Sequence, residues 1–323
     1  MSLFFPIASF LVKNYDNWFT NIFYTLSAVW AGLMFYFFIA SVFYGLFLFG
    51  ASLISLNISV QLIGKILFAL AILISAYGFY NAHVIKVTER EVVLPNLPES
   101  WEGRRAVFVS DIHLGQIHGN KFAEKTAKKI LELNPDIIFD SGDLYDGVKG
   151  EAFSLIEPLT QLKPPLGYYA VSGNHESYGA FQEYKEAVKK AGIKMLDNEV
   201  VEVDGVYIAG ADYETTQKTD NFRKILKDLF QNVQKEKPFI LIKHVPLNLS
   251  EAESQGVDLQ LSGHTHRAQV FPLTLISNYV YKGYDYGLKY FKSMQLLVTD
   301  GVGTWGPPMR IGTHSEIVVI IFK

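Results

Sequence analysis

Two regimes of hydrophobic patterning divide the chain. Residues 17–64 carry no charged side chain, and residues 66–85 carry none apart from the titratable His83. One helix over 17–64 would be about 70 Å long at ~1.5 Å per residue, whereas a bilayer crossing needs only about 20 apolar residues. The pattern therefore predicts two spans, at about 26–49 and 62–82, joined by the Gly/Ser/Asn-containing stretch 50–61. Residues 17–21 (NWFTN) read as an approach at headgroup level, where Trp and Asn are favoured. The opening SLFFPIASFLV is too short to cross and reads as an interfacial piece or the remainder of a longer N-terminus. A short basic segment, brief apolar core and small-residue site do not follow in that order, so an anchor is expected rather than a cleavable signal.

After residue 85 the pattern changes to short apolar runs alternating with helical spacing. Residues 86–104 read as a charged, Pro-containing connection with one strand at 91–94. Strands are predicted at 106–111, 136–143, 167–174, 239–244, 259–263, 295–301 and 316–322, with a hairpin at 199–210 about an Asp-Gly turn. Helices are predicted at 120–133, 150–162, 177–191 and 221–235. In the first of these, Phe122, Thr126 and Ile130 repeat at helical spacing beside Ala123, Ala127 and Leu131, with Asn120 as the N-cap. The expected architecture is a mixed α/β domain at 86–323 behind a membrane anchor at 1–85, giving a multi-pass membrane protein.

Charge refines this picture. The first 85 residues hold two basic and one acidic side chain out of totals of 29 and 32, which leaves a formal −4 on the remainder. A mildly acidic soluble part argues against a nucleic-acid backbone as its main substrate. Lys13 lies on the same side of the hairpin as Lys86, Arg90, Arg104 and Arg105, against Lys65 at the other end. The bias predicts a cytoplasmic catalytic domain. The chain has no cysteine, so disulfides, thiolate ligands and a Cys nucleophile are excluded.

Five apolar runs end in candidate ligands: FVSDIH, FDSGD, AVSGNH, LIKHVP and LSGHTH. Five of the eight histidines fall in these short segments. In α/β sheets, sites form in loops beyond the carboxyl ends of strands, where such side chains converge. An extended backbone would put Asp111 and His113 on one face, and likewise His264 and His266. Asp143 is the candidate bridge between two ions, because a carboxylate offers an oxygen to each and Gly142 permits a sharp turn. Asp111, His113, Asp143, Asn174, His244, His264 and His266 form a sulfur-free donor set that suits Mn, Fe or Zn. Two ions ~3.5–4 Å apart hold substrate oxygens, generate hydroxide and stabilise an in-line transition state. Each motif alone is weak; five in order, each after a strand, are specific.

The series D-x-H, GDxxD, GNHE, H-x-P and GHxH resembles the calcineurin-like metallophosphoesterase superfamily over about residues 86–323. The ending GVGTWGPPMRIGTHSEIVVI (301–320) is similar to its bacterial branch with N-terminal membrane helices. The resemblance implies a sandwich of two mixed sheets flanked by helices. It implies one ion on Asp111, His113, Asp143 and His266, and a second on Asp143, Asn174, His244 and His264. His175, oriented by Asp146, would stabilise the transition state or protonate the leaving group. GHTHRAQ departs from the branch, which more often has Gly-Gly between His and Gln.

A hydrolase of a lipid-linked phosphate ester or pyrophosphate follows as the leading reading, with nucleotide–lipid pyrophosphates as one substrate class implied by the resemblance. Seven aromatics among residues 271–292 suit a headgroup region, although a long hairpin packed on the domain has the same composition. A phosphodiesterase or phosphatase for soluble substrates is the enzymatic alternative, and a catalytically silent metal-binding membrane scaffold the non-enzymatic one. Arg267 and Arg310 are candidate phosphate contacts, with covering or ion-pair roles as their alternatives. His118, close to the first motif, reads as a surface-loop histidine with pocket lining as its alternative, and His83 as interfacial.

Overall fold

A computed structural model describes residues 3–15, 17–53, 59–147, 152–177 and 181–323. Helix α1 (Phe4–Asn14) is followed by α2 (Trp18–Leu53) and α3 (Val60–Ala82). Both α2 and α3 are long and apolar enough to cross a membrane, and only 17% of each apolar window is buried within the protein. The 17–21 segment is not a separate approach. Asn17 caps α2, its Oδ1 accepting from the backbone N–H groups of Phe19 and Thr20, so the helix starts there and runs 36 residues. That is about 54 Å, well beyond one crossing. Part of the connection expected at 50–61 is helical at each end, and residues 54–58 lie outside the described residues.

The remainder folds as two six-stranded sheets. Strands β1 (Ile85–Val92), β2 (Arg105–Val109), β3 (Ile137–Asp140), β4 (Tyr168–Ala170) and β5 (Lys194–Met195) form one sheet with β12 (Ser315–Phe322), in the order β1-β12-β2-β3-β4-β5. Strands β6 (Glu199–Val203), β7 (Val206–Ala211), β8 (Phe239–Lys243), β9 (Leu259–Ser262), β10 (Gly287–Phe291) and β11 (Met294–Val298) form the other, in the order β10-β11-β9-β8-β7-β6. Alternation decides the layers. On β2, Ala106 and Phe108 face the second sheet, whereas Val107 and Val109 face helices α4 (Asn120–Glu132), α5 (Ala152–Ile156), α6 (Asn174–Ser177) and α7 (Phe181–Lys190) on the outer side. Helices α8 (Thr219–Leu229) and α9 (Leu249–Gln255) cover the second sheet through Phe222, Leu226 and Ala252. The result is the mixed-sheet sandwich expected, flanked by helices and preceded by two apolar helices.

Several local expectations are corrected. Residues 86–92 are not a connection but an edge strand, paired in parallel with β12 from Ile85↔Ser315 to Val92↔Phe322. Asn120 is the first helical residue of α4 rather than its cap, and its amide donates to Ser154 O. The helix expected at 150–162 is α5 followed by a 3₁₀ turn at Glu157–Gln161, with 150–151 outside the described residues. Residues 178–180 of the helix expected at 177–191 also lie outside them, and α8 stops at Leu229, short of 235. The 271–292 segment forms a helix, α10 (Leu273–Val280), and then β10, which pairs antiparallel with β11.

The apolar helices are joined to the sandwich by specific contacts. Asn81 of α3 donates to the carbonyls of Arg310 and Thr313, and the Arg310 N–H donates to Gly78 O. Gly78 and Gly32 admit this close approach. A Cβ at Gly78 would lie 2.6 Å from Met309 Cγ, and one at Gly32 would lie 3.1 Å from Met309 Cε. Helix α1 buries Ala8 and Val12 with Tyr24 of α2, against Ile117 in the loop after β2.

Candidate metal centre

Every candidate ligand follows the carboxyl end of a parallel strand. Asp111 and His113 come after β2, Asp143 and Asp146 after β3, and Asn174 and His175 after β4. His244 follows β8, and His264 and His266 follow β9. The period-two argument for Asp-x-His does not hold. Strand β2 ends at Val109, and Asp111 and His113 have φ of 54° and 53°, so this backbone is coiled rather than extended. His264 (φ 68°), His266 (φ 44°) and Asp143 (φ 53°) share the left-handed region. Non-glycine residues are rare there, and such conformations collect at functional sites where the surroundings enforce them. At Gly142 (φ 100°) a Cβ would lie 2.6 Å from Gly173 N, so only glycine lets the β3 and β4 loops touch.

Within this frame two groups of donors converge on Asp143. In the first, His266 Nε2 lies 3.3 Å from Asp111 Oδ1 and 3.0 Å from His113 Nε2, which is 3.9 Å from both Asp111 Oδ1 and Asp143 Oδ2. In the second, His244 Nε2 lies 3.1 Å from Asp143 Oδ2, Asn174 Oδ1 and His264 Nδ1. Asn174 Oδ1 is 2.9 Å from His264 Nδ1. The far nitrogen of His244 meets Ser141 O at 2.8 Å, and that of His113 meets Asp146 Oδ1 at 3.3 Å. These partners hold the protons on Nδ1 and aim the Nε2 lone pairs inward.

The donor chemistry fits divalent cations. Around His244 Nε2 stand a carboxylate oxygen, an amide oxygen and a second imidazole nitrogen, more acceptors than protein protons can satisfy. Burial would raise the carboxyls of Asp111 and Asp143, yet neighbouring histidines hold both well below the usual carboxylate range. Burial pushes His264 and His266 down to about 4, leaving them neutral for ligation. Burial also opposes charge on His244, but Asp143 outweighs it and lifts that ring to about 9. A cation held by His244 would displace that proton.

His175 stands at the rim. Its ring centroid is 4.6 Å from that of His113, and Nδ1 lies 3.4 Å from Asp146 Oδ1. Burial lowers its proton affinity, but the hydrogen bond with Asp146 and the charge of Asp143 prevail and bring it to about 9. Glu176 ties the loops together, accepting from the N–H groups of Asp143, Tyr145 and Gly173.

The structure also settles residues that stood open or were misread. His118 is not a surface-loop histidine. It is 5% exposed, stacks on Phe122, and its Nε2 accepts from Thr304 N at 2.9 Å, which anchors the 303–305 loop. Arg310 is fully buried and donates to the carbonyls of Asp300, Gly301 and Gly303, with Nη2 3.2 Å from His266 Nδ1. Arg267 lies over the Tyr286 ring and pairs with Asp300 at 3.6 Å. Both arginines brace loops. Arg267 and Ala268 have φ of 47° and 55°, which is the conformation a Gly-Gly pair adopts without strain. His83 is the exposed C-cap of α3.

A cavity of about 590 Å³ opens beside these groups. It is lined by His113, Asp143, Asn174, His175 and His264, and also by Ala31, Gly32 and Phe35 of α2, with Leu273 of α10, Trp305 and Met309. Sequence reasoning missed the α2 wall entirely.

The calcineurin-like phosphoesterase family model matches residues 104–268. The chain is 35% identical over 272 residues to a transmembrane protein with metallophosphoesterase domain from Danio rerio, covering 79% of this chain and 62% of that protein. It is 33% identical over 258 residues to an uncharacterized metallophosphoesterase from Aquifex aeolicus, covering 79% of this chain and 98% of the relative. A solved 5'-nucleotidase precursor from Thermus thermophilus aligns at a TM-score of 0.37 and 16% identity, over 63% of this chain and 49% of that one. The chain thus spans less than two thirds of the Danio relative and nearly all of the Aquifex one.

Proposed function

This chain belongs to the calcineurin-like phosphoesterases and is a metal-dependent hydrolase of phosphoester bonds, and from that premise we propose that it works at a membrane surface on a lipid-linked phosphate. In this reading one divalent ion sits on Asp111, His113, Asp143 and His266, and a second on Asp143, Asn174, His244 and His264. Two such ions would supply charge neutralisation for the phosphate and a hydroxide nucleophile. Asp143 is shared by both donor groups and holds them at a fixed spacing. His175, whose proton affinity Asp146 raises, donates to the departing oxygen, while Asp146 on its far nitrogen fixes the ring. No protein nucleophile is needed.

The observation that carries the lipid assignment is the cavity wall formed by α2. Helix α3 has 23 residues, and a crossing takes about 20, so its contacts with the sandwich at Gly78 and Asn81 fall at the bilayer surface. Ala31, Gly32 and Phe35 line the cavity, and Gly32 touches the same Met309 that packs on Gly78. The cavity then lies at the hydrocarbon boundary. Exposed apolar side chains continue around it on α1 (Phe4, Ile7, Phe10) and α10 (Leu275, Ile276, Tyr279). An anchor at 1–85, a catalytic part at 86–323 and a cytoplasmic orientation complete the proposal.

The test uses the full chain purified with Mn²⁺, Fe²⁺ or Zn²⁺ and assayed in nanodiscs. A phosphate-bearing lipid is expected to be hydrolysed with kcat/KM at least about a hundredfold above that for a soluble aryl phosphate or phosphodiester, the scale of roughly 3 kcal/mol of added binding. Equal or better turnover of the soluble esters would instead select the soluble-substrate alternative. Absence of turnover on every ester, with metal bound, would select the silent scaffold.

A further inference from the structure

The geometry points to a more specific role for the first apolar helix: we propose that α2 forms one side of a substrate subsite that takes a single alkyl chain of the lipid, with the phosphate at the metal centre. This rests on the lipid-phosphate reading and adds to it where the tail lies and which residues measure it.

The cavity lining combines two kinds of surface: the candidate ligands His113, Asp143, Asn174 and His264 with His175, and an apolar part made of Ala31, Phe35, Val270, Leu273, Pro307 and Met309, with Thr265 and Gln269 as further polar neighbours. A phosphate alone leaves most of about 590 Å³ unfilled, a volume of the class that encloses a whole small-molecule ligand. Leaving the apolar part to water would be unfavourable, so a hydrocarbon chain is the occupant with matching chemistry. The two sides of the apolar part are held together. Tyr36 of α2 donates its hydroxyl to Phe271 O at 2.5 Å, next to the start of α10. Beyond that clasp, Phe38, Val42 and Phe43 of α2 are exposed and apolar, continuing from the cavity into the part of the helix that crosses. In the proposal a chain runs from the phosphate at the metal centre along α2 towards the bilayer, past these exposed apolar side chains. Two positions on the helix set the room available: Ala31, whose side chain is small, and Phe35, whose ring occupies space one turn further along.

The test compares the wild type, Ala31→Leu and Phe35→Ala, each as the full chain in detergent micelles, on lysophosphatidic acids with acyl chains from six to eighteen carbons. Wild-type kcat/KM is expected to rise with each added methylene while the chain fills the cavity, by less than the about fourfold of a transfer from water because the lipid starts in a micelle, then to level off. The levelling point should move to shorter chains in Ala31→Leu and to longer chains in Phe35→Ala, and opposite shifts are not produced by a general packing defect. A lysophosphatidic acid with a terminal diazirine should also cross-link to residues 31–35 or 270–273, and excess unlabelled lipid should suppress the label. Hydrolysis of these lipids with the same chain-length profile in all three proteins would overturn the subsite while leaving the lipid-phosphate reading intact. Labelling spread evenly over the outer faces of α2 and α3 would overturn it in the same way. Turnover of soluble esters with no turnover of any lipid would remove the lipid reading, and the subsite with it.

Discussion

Replacing Asp146 by Asn tests the proposed division between metal binding and proton transfer. Asp146 Oδ1 is 3.4 Å from His175 Nδ1 and 3.3 Å from His113 Nδ1, so one buried carboxylate serves both rings. Each charge-assisted hydrogen bond is worth about 1.5–3 kcal/mol. At 1.36 kcal/mol per pKa unit, losing the bond to His175 lowers that ring by about one to two units from its value near 9. The sign follows from the acid role. A raised imidazole is protonated below its pKa, so a donor-dependent rate is full below that pKa and is lost as pH rises through it. In Asp146→Asn the same decline should begin one to two pH units lower, making the defect largest at pH values between the two midpoints. His175→Ala should abolish the decline and lower kcat by roughly a hundredfold or more, with metal content near normal. Because His113 also loses its partner, the Asn variant should bind metal about 10–100-fold more weakly, and the profiles must be measured at saturating metal. Bound cations displace the decline equally in wild type and variant, so the difference between the curves is the measured quantity. An unchanged midpoint in Asp146→Asn at full metal occupancy would refute the pairing of Asp146 with a proton donor. Loss of both metals in His175→Ala would make that residue a ligand.

Two further outcomes are expected. Asp143→Asn removes the carboxylate common to both donor groups, so elemental analysis should find bound metal falling from two ions toward none, with turnover nearly abolished; a variant that keeps both ions and its rate would show that Asp143 is not the bridge. Reporter fusions after residues 55 and 323 should give opposite localisation signals, the second cytoplasmic, since the Lys/Arg bias sets orientation; equal signals would end the two-span topology, and reversed ones its direction.

The donor set was legible because each candidate is a polar residue at the end of an apolar run, where burial is unfavourable unless the group has work to do. The backbone at those residues was not. Strand periodicity put Asp111 and His113 on one face, but their N–H groups donate to Gly142 O and Asp143 O of the next loop, in left-handed turns that no local pattern announces. His118 looked exposed because its sequence neighbours are polar, and its partner Thr304 arrives from 186 residues away. Strand β1 was hidden for a different reason. It is an edge strand that carries Lys86 and the run Glu89-Arg90-Glu91, so it reads as a linker until β12 pairs with it. The α2 wall could not be found by composition at all, since an alanine or phenylalanine facing a cavity has the same sequence signature as one facing lipid.

In the proposed membrane setting, Arg310 would give the bilayer a mechanical hold on the chemistry. Its main chain is hydrogen-bonded to Gly78 in α3, and its side chain reaches His266 and the carbonyls of the 300–303 loop. With 23 residues, α3 has little slack against a hydrocarbon layer about 30 Å thick. A thicker or thinner membrane is met by tilting such a helix, at fractions of a kcal/mol per ångström of mismatch. Any tilt of α3 moves the anchor point of Arg310 relative to the strand that carries His266. In the proposed membrane setting, lipid thickness would thereby be a physical variable of the metal centre, and the host membrane would become part of the enzyme's definition.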